Sequence, residues 1–169
     1  MQLEKIDRVL LINQYKILKK LDSESGVNYD ELIEILQYGY EIFYSIVDEW
    51  IGEGMSKEKG KFVLDILGIY RMVEDYKKQN PQDEEILNHR WGYFKGFDGN
   101  EESEYFAFTL FLIETQKKFL EQLPYKTRND NFNSHFPVVD KYQKMVSAWK
   151  SLGRGFRLSK EQILEILDS

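Results

Sequence analysis

Apolar residues recur at intervals of three and four along almost the whole chain, and the strict alternation that would signal a β-strand is nearly missing. Leu3, Ile6, Leu10, Ile17 and Leu21 form the stripe of a first helix from about Leu3 to Leu21, which the turn formers from Asp22 to Gly26 end. A second helix starts at Asn28, where Asn28 and Glu31 have the spacing of a capping box. It carries Leu32, Leu36, Tyr40, Phe43, Val47 and Trp50 until Gly52 and Gly54 stop it. Ser56 caps a third helix with Phe62, Ile66, Ile69, Val73 and Tyr76 on one face. Asn80-Pro81 opens a short fourth, because proline has no amide hydrogen to lose at the first helical position.

The run from Gly96 to Asn100 reads as a loop, with Asp98 or Asn100 capping a fifth helix whose first-turn acids Glu101 and Glu102 suit the helix dipole. Tyr105 to Ile113 is apolar almost all round, the pattern of a helix covered by its neighbours, and Pro124 ends it. Pro137 opens a sixth helix with Val138, Tyr142, Met145, Trp149 and Leu152, closed by Gly153 and Gly155. In the last helix Ser159 and Gln162 form a capping box, with Leu158 and Ile163 placed as a hydrophobic staple. The expected fold is all-α: one domain over residues 1–169, with about seven helices around a central aromatic-rich helix.

Three positions break the pattern. Counting sevens places Asn13 on the seam that Ile6 begins, a core-facing position where a buried amide needs partners, either as a register-fixing contact between helices or facing a cleft. Gly39 and Gly68 fall mid-helix, where close approach of a neighbouring helix is the economical explanation.

Composition narrows the function classes. The 169 residues contain no cysteine, which removes disulfides, thiolate nucleophiles and iron–sulfur clusters. The N-terminal residues are too charged for a signal peptide, and no apolar run approaches the ~20 residues of a membrane span. A cytoplasmic protein that does not enter the membrane is expected. Net charge is −6, yet from Lys117 to Lys160 ten Lys and Arg face three acids, leaving the remainder at −13. Either the two signs interleave on the surface, or a basic side is available to an anion or to the acidic part of a second copy.

No phosphate-binding glycine fingerprint or nucleophile elbow occurs. The two histidines, His89 and His135, lack metal-ligand spacing, so neither a metal nor a cofactor is expected. The most suggestive segment is Asn129 to Phe136, inside the long irregular stretch from Tyr125 to Phe136. It gathers amide, hydroxyl and imidazole groups in the basic third of the chain, and long loops in compact domains are often functional. Ser134 or Asn133 is an equally good candidate to bond the free N–H groups of the following helix.

Asn13-Gln14-Tyr15-Lys16, Gly39-Tyr40, Gly96-Phe97-Asp98, Phe132-Asn133, Pro137, Lys141 to Met145, Trp149 and Leu158-Ser159 occur in an order that resembles the YfbU family of bacterial proteins (UPF0304) over the whole chain. The resemblance implies the helical fold and no particular reaction, cofactor or catalytic residue. Some relatives carry a DNA-binding segment ahead of this domain, which is not expected here, where the first helix starts at once.

Three functions follow as expectations. The first is an interaction or regulatory module that forms a homo-oligomer or binds a protein partner. The second is a small-ligand or enzymatic site drawing on Asn13, Gln14, Trp91, Asn131, Asn133, His135, Lys141 and Tyr142, with His135 as base or donor and Lys141 neutralising an anion. The third is nucleic-acid binding through residues 117–160.

Overall fold

Local capping chemistry sets most of the helix starts. The computed structural model describes residues 2–22, 24–49, 51–52 and 54–169; Ser23, Trp50 and Glu53, which the sequence reading placed in turns and on the second stripe, lie outside the described residues, as does Met1. The chain is all-α, and among the described residues no strand forms. Its backbone gathers into two compact units, residues 1–54 and 55–169.

In the first unit, helix α1 (Lys5–Leu21) begins at Glu4, whose side chain accepts from the Asp7 N–H while the Asp7 carboxylate accepts from the Glu4 N–H. Helix α2 (Tyr29–Tyr38) begins where the Asn28 side chain accepts from the Glu31 N–H, as its spacing foretold. The two helices run antiparallel: Lys19 pairs with Asp30 at one end, and Arg8 donates to the Leu36 carbonyl at the other. Ile35, Leu36, Tyr44 and Val47 form the core, with Leu3, Leu11, Ile12, Tyr15 and Leu32 against it. The expected single second helix is broken at Gly39, which ends α2 with φ +72°; a 3-10 turn (Glu41–Phe43) and the short helix α3 (Tyr44–Asp48) follow. Gly39 is therefore a helix terminator, and a Cβ there would lie 2.5 Å from the Arg8 guanidinium.

The second unit is organised by α4 (Lys57–Gln79), capped by Ser56 through the Lys59 N–H. Seven of its apolar side chains are buried, and it packs on α6 (Ser103–Leu110), the 3-10 turn Leu120–Tyr125 and α7 (Val139–Ser151). α7 in turn holds α8 (Lys160–Asp168), whose Ser159–Gln162 capping box makes both of its bonds. The short helix α5 (Glu84–Leu87) is capped by Asp83 rather than begun by Pro81.

The buried centre is thus α4, not the aromatic-rich segment. That segment breaks into α6 and a π-turn (Phe111–Thr115), ends well before Pro124, and leaves Phe111 exposed. Gly68 has no atom within 4 Å of a Cβ placed on it, so helix crossing does not explain it.

Candidate functional site

The irregular stretch around residues 126–136 is held to residues 94–99 by backbone pairing. The Phe97 N–H donates to the Phe132 carbonyl and the Ser134 N–H to the Phe97 carbonyl, each at 3.1 Å, and the Asn129 amide reaches the Phe94 carbonyl at 2.7 Å. Gly96 makes this contact possible: at φ +85° it lies so close to Phe132 that a Cβ would stand 1.7 Å from the Phe132 carbonyl oxygen. Beneath the junction Phe94, Phe97, Phe132 and Tyr142 are fully buried and pack edge to face and in stacks. Such aromatic pairs contribute roughly 0.5–1.5 kcal/mol each beyond their buried area.

Above it lies a cleft of about 510 Å³, lined by residues 90–95 on one side and 127–136 on the other. Its charge is dominated by Arg90, Lys95 and Arg128. The Lys95 ammonium lies 3.2 Å from the centre of the Tyr93 ring and the Arg128 guanidinium 4.2 Å from it. Among the described residues none of the three cations has an ion-pair partner. Partial burial pushes the Lys95 ammonium below its ordinary pKa; the adjoining Tyr93 opposes the shift, while Arg128 and Arg90 add to it. The one carboxylate on the cleft wall, Asp130, lies 3.2 Å from His135 Nε2. Four residues of the loop, Asp130, Asn131, Phe132 and His135, hold positive φ, strain that the pairing with residues 94–99 must sustain.

The residues singled out in the sequence fall in different places. Trp91, Asn133 and His135 line the cleft. Asn131 is exposed beside it. Tyr142 is fully buried; its hydroxyl accepts from the Lys95 N–H, so it props the cleft from below. Lys141 lies 5.7 Å from the Trp91 ring and donates to the Ser169 carbonyl. Asn133 has a structural task, accepting from the Gly99 and His135 N–H groups. Neither it nor Ser134 caps α7. Glu102 does: its buried carboxylate accepts from the Val138 and Val139 N–H groups, both at 2.7 Å, and from Asp98 N–H at 3.0 Å.

Asn13 and Gln14 lie on α1 in the first unit, and both are exposed. The core-facing assignment of Asn13 is corrected, because α1 packs through Leu11, Ile12 and Tyr15 instead. The face that carries Asn13 also carries Ile6, Val9, Leu10, Ile17 and Leu21, all exposed.

Three of the ten cations in the stretch 117–160 pair with acids from elsewhere in the chain. Lys126 pairs with Glu114 at 2.6 Å, Lys150 with Asp65 at 3.8 Å, and Lys160 with Asp83 and Glu85 at 2.9 and 2.8 Å. Among the described residues no group of His, Asp and Glu is arranged to hold a metal ion, and no helix is long and apolar enough to cross a membrane.

The profile of the YfbU domain matches residues 1–169. The UPF0304 protein MJECS11 of Methanocaldococcus jannaschii is 53% identical over 169 residues, covering 99% of each chain. That relative is archaeal, so the resemblance is not confined to bacterial proteins.

Proposed function

The chain belongs to the YfbU family, and we propose that this protein works as a self-associating helical interaction module in the cytoplasm, with the outward face of α1 as its contact surface. The observation that carries the reading is an apolar stripe that stays exposed among the described residues. Ile6, Val9, Leu10, Ile17 and Leu21 are between 50 and 78% exposed, and they follow one another at helical spacing. Surface helices normally have one apolar face, turned to the core. α1 has two, and Leu11, Ile12 and Tyr15 already supply the inward one.

A second copy of the chain fits the outward stripe better than an unrelated partner. Asn13 stands at the midpoint of α1, within the stripe, and Lys20 is the other polar residue there, near the end of the helix. A two-fold axis at that point brings each Asn13 amide to its own counterpart, a donor–acceptor pair that fixes register at some expense of stability. A different protein would have to supply a matching amide at that place. Lys5 and Lys16 border one edge of the stripe and Asp7 and Gln14 the other, giving the polar rim typical of interfaces.

Sedimentation velocity from micromolar to millimolar protein tests this. The expected result is a concentration-dependent rise from monomer to dimer, abolished in a Leu10→Glu variant whose melting profile is unchanged. A wild-type chain that stays monomeric at millimolar concentration contradicts the proposal.

A further inference from the structure

We propose that the cleft between residues 90–95 and 127–136 binds a small phosphorylated molecule, with Arg90, Lys95 and Arg128 as its anion-binding groups. The inference is independent of self-association and concerns the second unit alone.

The argument starts from charge. Three cations share one concave site, and among the described residues no carboxylate pairs with any of them, although other lysines of the second unit have found acids. Like charges gathered in a partly desolvated cleft repel one another, and the field lines they focus there favour an anion. The Tyr93 ring offsets part of this by offering its π face to Lys95 and Arg128. It does not neutralise them. The downward push on Lys95 comes first from its partial burial, and both arginines add to it, as the cations gathered at this wall require.

The class of anion follows from the groups. Two guanidiniums present planar forks that match phosphate oxygens in pairs, and an ammonium adds a compact third charge. A lone carboxylate would leave two of the three charges uncompensated, whereas a phosphate ester or diphosphate matches them. The volume, about 510 Å³, suits a small organic molecule, and Trp91 and Phe136 on the wall offer apolar surface for the rest of it. Asp130 is the one opposing charge in the cleft, and its neighbour His135 holds it at 3.2 Å. The concave form also argues against a nucleic-acid strand, which needs an extended basic track.

Calorimetric titration of the full chain with inorganic pyrophosphate, alongside citrate and a mixed-sequence single-stranded oligonucleotide, tests the assignment. Saturable pyrophosphate binding is expected, weakened at least tenfold by Lys95→Gln and by Arg128→Gln and unaffected by Lys61→Gln on α4. Circular dichroism melting of the same variants separates loss of the site from loss of the fold. Amide NMR shifts on adding pyrophosphate are expected at residues 90–95 and 127–136. Pyrophosphate heats that do not saturate, or that persist unchanged in both cleft variants, overturn the proposal. Tighter binding of citrate overturns the phosphate class, and tighter, salt-sensitive binding of the oligonucleotide overturns the small-molecule assignment.

Discussion

The two units of this chain treat their apolar residues in opposite ways. Among the described residues, 55–169 collect 22 buried side chains into one cluster, whereas in 1–54 four form the corresponding cluster. Among the described residues, large apolar side chains left exposed show the reverse: twelve belong to the smaller unit, Ile6 to Ile51, and seven to the larger. Both units are built from helices, so helix formation by itself does not separate them. The difference lies in what each helix has to pack against. α4 is covered from several sides, while α1 has α2 on one face and an equally apolar face left over. Stability therefore belongs mainly to the second unit, and association is proposed for the first.

Gly96→Ala is the harshest test of where stability resides, since it forces a Cβ against the Phe132 carbonyl at a left-handed backbone position. The expected loss is on the order of 4 kcal/mol, read as a lowered urea midpoint. A matched pair of leucines sharpens the contrast. Leu67→Ala, in the core of the second unit, is expected to cost about 3 kcal/mol. Leu10→Ala, on the open face of α1, is expected to stay within about 0.5 kcal/mol when measured at dilutions that prevent association. Equal losses at the two positions would abolish the distinction drawn here.

Glu102→Gln comes next. It keeps the side-chain shape but removes the charge that holds the start of α7, and about 2 kcal/mol is expected from charge-assisted hydrogen bonds to buried amides. Hydrogen exchange at Val138 and Val139 should accelerate in the variant.

The smallest effect concerns pH. Lys160, with help from the Tyr76 hydroxyl and the Ile86 N–H, holds the Asp83 carboxyl below its ordinary value. The stabilisation is therefore present above the ordinary carboxylate range and is lost as pH falls through the lowered value. Asp83→Asn should flatten that part of the acid limb of a stability–pH curve without altering the limb above pH ~6. A curve of unchanged shape would show that the pair contributes nothing.

Much of the fold was legible in the sequence because helix starts are local. Asn28, Ser56 and Ser159 cap helices through residues three positions away, and the spacing alone reveals them. α1 was misread because its sequence holds two apolar faces, and counting sevens cannot say which one α2 will cover. Gly39 reads as a mid-helix close approach rather than a stop because apolar spacing continues through Tyr40, Phe43 and Val47. The polar loop and Trp91 stood out by composition, but the three cations did not. Arg90 and Lys95 reach Arg128 only through the pairing of Phe97 with Phe132 and Ser134, which no local pattern encodes. Glu102 looked like an ordinary first-turn acid for the same reason, since the amides it holds lie 36 and 37 residues further on.

The absence of native cysteine makes one measurement especially direct. A disulfide requires Cβ atoms about 4 Å apart, so an Asn13→Cys variant reports whether residue 13 of one copy meets residue 13 of another. Under mild oxidation this variant is expected to form a covalent dimer rapidly and nearly completely, far ahead of a Glu34→Cys control on the exposed side of α2. Crosslinking no faster than that control at millimolar protein would contradict the claim that the outward face of α1 pairs with its own copy.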